Sequence, residues 1–286
     1  MPVNSKEQSS QSTEKLFAIL EYLTNSRLPV RLQDVSESLG IPQSTLLRYF
    51  STLIKENYVY QDEDTKRYAM TWKICRFGYM LRSNLGIRSI IGPYLNLLAN
   101  KLGLNSCAVI LDGYESIYID LVEDPSGMTN TLLRIGKRAP LHSTGSGKVM
   151  LSTFSDYDLE KYIKERGLLK LTENTITDET QLREQLKEIR TRRYATDNEE
   201  CEQGLRCISV PVFDYTNGVI AAVSMFGNVS KTDDEFMTGK VLYELLQVSR
   251  VLSFKFGCGA EVWENFEMPA NGECVTGPGN LGGGAL

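Results

Sequence analysis

The chain has 286 residues, 42% of them hydrophobic and 23% charged, with a formal net charge of −5; this is globular composition, and the length favours two domains over one core. No stretch approaches the run of about 18 apolar residues that would span a bilayer, and "MPVNSKEQSSQSTEK" has no apolar signal core. Cysteines 75, 107, 201, 207, 258 and 274 form no CxxC pair and no zinc-like spacing, so neither a metal site nor a bound cofactor is expected, and reduced thiols fit a cytoplasmic setting.

Charge is unevenly placed. Residues 1–82 hold eleven Lys/Arg against nine Asp/Glu, whereas the remainder holds 20 against 27. A mildly basic head on an acidic body is an asymmetry to follow along the chain.

Residues 1–12 are Ser/Gln-rich and read as a disordered leader. Leu16, Ile19, Leu20 and Leu23 then recur at helical spacing, and Pro29 breaks the chain. Leu32, Val35 and Leu39 predict a short second helix that Gly40 can end in a left-handed cap. Pro42 suits the first position of a third helix, whose buried face is Leu46, Phe50, Leu53 and Ile54. Two short helices joined by a tight turn predict a helix-turn-helix. The third helix leaves Gln43, Ser44, Thr45, Arg48, Tyr49 and Thr52 outside, with no acid before Glu56. Amide and guanidinium groups suit base edges in the major groove, and hydroxyls suit phosphates; a merely solvated face is the plainer alternative. "YVYQDEDTKRYAM" follows as strand, acidic turn and return strand, a wing that would carry Lys66 and Arg67 to the DNA backbone or minor groove. One such module binds weakly, so a dimer on a palindromic operator is expected.

Residues 71–88 read as a helical linker, and "IRSIIGPYLNLLANKLG" as a further helix. From residue 105 the period shortens. "SCAVILDG", "SIYIDLV" and "TNTLLRIG" predict strands, residues 156–166 and 179–193 polar amphipathic helices, and "LRCISVPVFD" and "VIAAVSMFG" a hairpin closed at "YTNG". A long helix near 232–256 ends an α+β domain, and "GPGNLGGGAL" belongs to a flexible tail placed at 258–286.

"LHSTGSGKVM" invites comparison with a phosphate-binding loop. It fails: His142 stands where the first glycine belongs and Val149 where a magnesium-binding hydroxyl belongs. The same residues can open a helix capped by Ser143 or Thr144, whose N-terminal N–H groups face an anion or serve structure alone. His142, the only histidine, has no evident catalytic partner and reads as a capping or core residue. Asp197, Cys207 and Ser224 can converge on one pocket, because alternate residues of paired strands share a face; otherwise "DNEECEQG" is an exposed acidic loop.

Over residues 13–257 the chain resembles the IclR-type bacterial transcriptional regulators. The resemblance is carried by "LGIPQSTLLRYFSTLIKENYV" with "YAMTWKICRFG", by "GKRAPLHSTGSGKVMLS", and by "DNEECEQGLRCISVPVFDYTNGVIAAVSMFGNVSKTDDE". It implies a winged helix-turn-helix domain over residues 13–70, a linker at 71–88, and a GAF-like effector-binding domain at 89–257, assembled as dimers or tetramers. It further implies a small effector, commonly an organic acid, held at Gly145 and Ser146, with Asp197, Leu205, Cys207 and Ser224 on the other walls and Met128 and Thr131 on a preceding strand. Phe226 stands where a small hydroxyl residue can occur, which disfavours glyoxylate-like effectors. The expected function is a ligand-responsive regulator, a repressor, without catalytic activity. The competing readings are a thiol enzyme using Cys207 and His142 with an N-terminal interaction module, and a cyclic-nucleotide module, which the acidic body disfavours.

Overall fold

The computed structural model describes residues 11–26, 28–76, 86–124, 135–264 and 266–269. The chain divides into two compact units, Met1–Gly86 and Ile87–Leu286. Among the described residues no helix is long and apolar enough to cross a membrane. The leader (apart from its last two residues), half of the linker and the glycine-rich end of the tail lie outside the described residues.

In the first unit, α1 (Gln11–Asn25), α2 (Leu32–Leu39) and α3 (Gln43–Lys55) are followed by the strands β1 (Val59–Gln61) and β2 (Tyr68–Met70). Each helix turns its apolar stripe inward, so Ile19, Val35, Leu46 and Phe50 are almost fully buried. Gly40 ends α2 at φ +63°, as a left-handed cap requires. Pro42 stands one residue earlier than expected, capping α3, with its carbonyl accepting from Thr45 and Leu46 N–H. A two-stranded ribbon is marginal alone. Here Val30 adds a bridge, exchanging both backbone hydrogen bonds with Tyr68 at 2.8 and 2.9 Å, and the Tyr68 ring stacks 4.4 Å from Phe50.

Of the expected helical linker, Cys75, Arg76, Ile87 and Arg88 are helical among the described residues. Trp72–Ile74 is a 3₁₀ turn capped by Thr71, and the Thr71 hydroxyl donates to the Asn57 carbonyl at 2.6 Å. Those residues therefore pack with the wing.

The second unit begins with α4 (Ile87–Leu102) and builds a six-stranded antiparallel sheet. Its strands are β3 (Asn105–Asp112), β4 (Glu115–Val122), β5 (Arg138–Pro140), β6 (Ala195–Asn198), β7 (Leu205–Phe213) and β8 (Val219–Asn228), in the order β5-β4-β3-β8-β7-β6. Between β5 and β6 run α5 (Gly145–Leu151), α6 (Asp156–Arg166) and α7 (Glu179–Arg192). Strand alternation sends Ala108, Ile208, Val210, Val223 and Met225 to one face, against α4 and α8 (Leu242–Lys255). The opposite face meets α5–α7 through Val149, Leu151, Leu159, Leu186 and Ala222.

The structure departs from expectation at two short strands, in the final helix and in the tail. The strands at 138–140 and 195–198 were not anticipated, because three or four residues carry too little alternation to register. The predicted strand "TNTLLRIG" lies mostly outside the described residues, and Ile135–Gly136 form a turn. The final helix is not continuous: a turn at Asp234–Phe236 passes through a π-helical segment, Met237–Val241, before α8. Nor is the chain loose from residue 258. α9 (Glu261–Glu264) buries Trp263, whose ring meets Phe213 and Phe266 edge-on at 6.0 and 5.6 Å, so apolar burial extends the domain beyond its expected end.

Candidate nucleic-acid interface and ligand pocket

Helix α3 buries one face and exposes Gln43, Ser44, Leu47, Arg48, Ser51 and Thr52, with Thr45 half-buried. Among the described residues Arg48 makes no ion pair, and its guanidinium keeps all its donors for an external partner. Leu47, which is not among the residues expected on this face, is 47% exposed; here it suits contact with a thymine methyl. Two expected contacts have other work. The Tyr49 hydroxyl bonds the Ser12 carbonyl and side chain at 3.0 Å, holding α3 to the start of α1. Arg67 donates to the Pro29 carbonyl at 3.1 Å, while Lys66 is exposed at the turn with φ +56°.

The glycine-rich loop resolves as a structural element. Thr144 caps α5, accepting from Gly147 N–H at 3.0 Å. A Cβ on Gly147 would overlap the Leu141 backbone, and one on Gly145 would come within 2.7 Å of Ser209 Oγ. The glycines therefore let α5 press against β7 and the strand exit. Lys148, only 1% exposed, donates to Glu200 Oε1 and Oε2 at 2.6 and 2.8 Å and to Gln185 Oε1 at 3.0 Å. All three ammonium hydrogens are committed, which leaves none for a phosphate.

His142 is equally committed. Nδ1 bonds Tyr162 Oη and Nε2 the Leu169 carbonyl, each at 3.0 Å, and burial lowers its pKa. Cys207 contacts Ser209 Oγ at 3.4 Å, and burial pushes its thiol well above the ordinary range. A nucleophilic thiol needs a lowered pKa and a base, so the pair expected of a thiol enzyme is not assembled.

A cavity of about 120 Å³ lies between the sheet and α5. Strand register explains its walls. Cys107, Ser224 and Ser209 stand across β3, β8 and β7, and Asn105, Phe226, Cys207 and Asp197 form the next row. Of the expected residues, Ser146, Asp197, Leu205, Cys207, Ser224 and Phe226 line this space. Gly145 lies behind it against Ser209, and Met128 and Thr131 fall outside the described residues. Sequence reasoning missed Thr144, Tyr118, Cys107 and Cys201, which complete the wall, and Lys137, Arg138 and Glu202, which also border the cavity. Arg138 is tied to Asp112 and Glu115.

The wall is chemically quiet except at one place. Burial pushes the Cys107 thiol up to about 12 and Cys201 up to about 11. Asp197 is 4% exposed; burial and the nearby Glu200 charge, against a smaller pull from Lys148, raise its carboxyl to about 7. Its Oδ1 accepts from Glu200 N–H at 2.7 Å and Cys201 N–H at 3.3 Å.

Residues 80–254 match the family described as bacterial transcriptional regulator IclR C-terminal, and residues 12–63 match the IclR helix-turn-helix domain. The HTH-type transcriptional repressor AllR of Escherichia coli K12 is 30% identical over 233 residues, covering 81% of this chain and 86% of its own. The crystal structure of Thermotoga maritima IclR aligns with TM-score 0.58 at 30% identity, covering 86% of this chain and 98% of that one. The inducer-binding domain of Acinetobacter PobR, a double mutant complexed with 3-hydroxybenzoic acid, aligns with TM-score 0.54 at 29% identity, covering 57% and 95%.

Proposed function

The chain belongs to the IclR family of bacterial transcriptional regulators, and from that premise we propose how its two units divide the work. It is a DNA-binding transcriptional regulator whose C-terminal domain takes a small-molecule effector. On our reading α3 enters the major groove with Gln43, Ser44, Thr45, Leu47, Arg48 and Thr52, and Lys66 reaches the backbone from the wing. Tyr49 and Arg67 support that face through their bonds to Ser12 and Pro29. The observation that carries this is the exposed, acid-free side of α3 with Arg48 unpaired among the described residues.

A lone module reads few base pairs, so two copies on a palindromic operator would supply the affinity. The effector we propose is a small monocarboxylic acid in the cavity between Ser146, Asp197, Cys207 and Ser224. A void of about 150 Å³ holds a benzene ring, so about 120 Å³ limits the ligand to roughly that size. The precedent is the aromatic acid complexed with PobR. Phe226 and Leu205 give the ligand an apolar wall rather than a second hydroxyl. Like AllR, the protein acts as a repressor, and it turns over no substrate. Effector binding shifts the population of DNA-competent dimers by a coupling typically of about 1–3 kcal/mol.

The test is a mobility-shift titration of the full chain on fragments of its own upstream region, with and without small acids. Arg48→Ala should weaken the complex and leave acid binding intact, and Ser146→Asp should do the reverse. Equal DNA binding by Arg48→Ala rules out α3 as reader. Undiminished acid binding by Ser146→Asp rules out the pocket.

A further inference from the structure

Around Asp197 the buried charges do not balance. Lys148 is the one cation bonded into this cluster among the described residues, and it is held bidentately by Glu200. Glu200 and Asp197 are both carboxylates, 6% and 4% exposed, joined through the Glu200 N–H to Asp197 Oδ1 bond. A second buried negative charge with no cation of its own is costly. Two backbone N–H groups stabilise Oδ1; among the described residues no donor reaches Oδ2, and the side chain lines the cavity.

We infer that Asp197 meets the effector's carboxylate as a neutral carboxylic acid, donating a hydrogen bond from its second oxygen. The inference rests on the acid-effector reading and sharpens it: the pocket selects an anion by a shared proton, and no fixed cation inside the cavity is needed. The carboxyl value near 7 is consistent with this geometry. A short O–H···O⁻ bond is among the stronger hydrogen bonds in a dry site. A carboxylic acid kept protonated near neutral pH so that it can donate is a known physical solution.

The thiols and the phenol around Asp197 do not compete for the proton near neutrality. From β3, β4 and β7 come Cys107, Tyr118 and Cys207, and from the loop between β6 and β7 Cys201, all held in their neutral forms by burial. From α5 come Lys148, bound to Glu200, and Ser146. Lys137 and Arg138 on the β5 side and Glu202 on the loop are the remaining charges bordering the cavity.

The experiment is calorimetric titration of the full chain with acetate, lactate, benzoate and 3-hydroxybenzoate at pH 6 and pH 8, on wild type, Asp197→Asn and Asp197→Ala. These acids stay ionised throughout, so a required proton on Asp197 makes binding about tenfold weaker at pH 8 than at pH 6. Asp197→Asn, which keeps a neutral donor, should bind the same acid with that pH dependence gone, and Asp197→Ala should bind it weakly. Wild-type affinity that is flat or rises with pH, or loss of acid binding in Asp197→Asn, overturns the inference while leaving the acid pocket standing. Absence of binding by every acid at both pH values overturns the acid reading itself, and the inference with it. Benzylamine, included as a control, would bind more tightly at pH 8 and only to wild type if Asp197 were instead an ionised partner for a cation; that result also overturns the inference.

Discussion

The N-termini of α3 and α5 look alike on paper: each opens with small hydroxyl residues and carries a basic residue within its first turn or two. In the structure they are opposites. α3 stands at the surface, and Arg48 has no ionic partner among the described residues. α5 is buried along its whole length, and Lys148 is locked to Glu200 and Gln185. The difference teaches that a basic side chain signals an external anion only where folding has left it unpaired. Glycine, likewise, signals a ligand only where no neighbouring backbone already claims the space.

The sharpest way to break this contrast is at Gly147. Gly147→Ala forces a Cβ into the Leu141 backbone, and overpacking typically costs about 1–3 kcal/mol, and occasionally more. We expect a large fall in the melting temperature of the second unit; an unchanged value would return the loop to the class of ligand cradles. Next is Lys148→Met, which strands Glu200 as a buried unpaired charge. Denaturant unfolding should show a loss of about 3–5 kcal/mol. The double variant Lys148→Met with Glu200→Leu should recover much of that loss, and if it does not the pair is not the reason for burial.

Asp197→Asn comes third, and its sign depends on pH. The folded carboxyl is raised from 3.8 to about 7, so the folded state binds this proton more tightly than the unfolded chain. Stability from that group is full below about pH 4 and is lost as pH climbs through about 7. The variant should therefore be more stable than wild type at pH 8, on the order of 2–4 kcal/mol, and the advantage should vanish near pH 4. A constant difference at both pH values would place the Asp197 carboxyl outside this account. The smallest effect on folding is expected at Arg48→Ala, within about 0.5 kcal/mol. Its cost should appear in operator affinity, about 1–3 kcal/mol.

How much of this was legible depended on range. α1, α2 and α3 follow from a 3.6-residue period, and the end of α2 is legible because a cap such as Gly40 acts locally. The meeting of Asp197, Cys207 and Ser224 was readable from strand alternation together with the family resemblance. The Lys148–Glu200 pair was not: 52 positions separate the partners, and nothing near either residue announces the other. The bonds that hold Tyr49 and Arg67 were out of reach for the same reason, since their partners, Ser12 and Pro29, lie 37 and 38 positions away. The sequence marks His142 as a core or capping residue because no partner motif accompanies it, and its partners Tyr162 and Leu169 are visible only in three dimensions.

The central claim is that the open side of α3 reads DNA while the buried cavity reads an acid. Fluorescence anisotropy on labelled fragments of the upstream region, across a salt series, tests it most directly with wild type and Arg48→Ala side by side. Wild type should bind saturably, more weakly as salt rises and on addition of a pocket-binding acid, with Arg48→Ala weaker by about 5- to 150-fold. Identical curves for the two proteins, or no binding by wild type to any fragment at low salt, would contradict it.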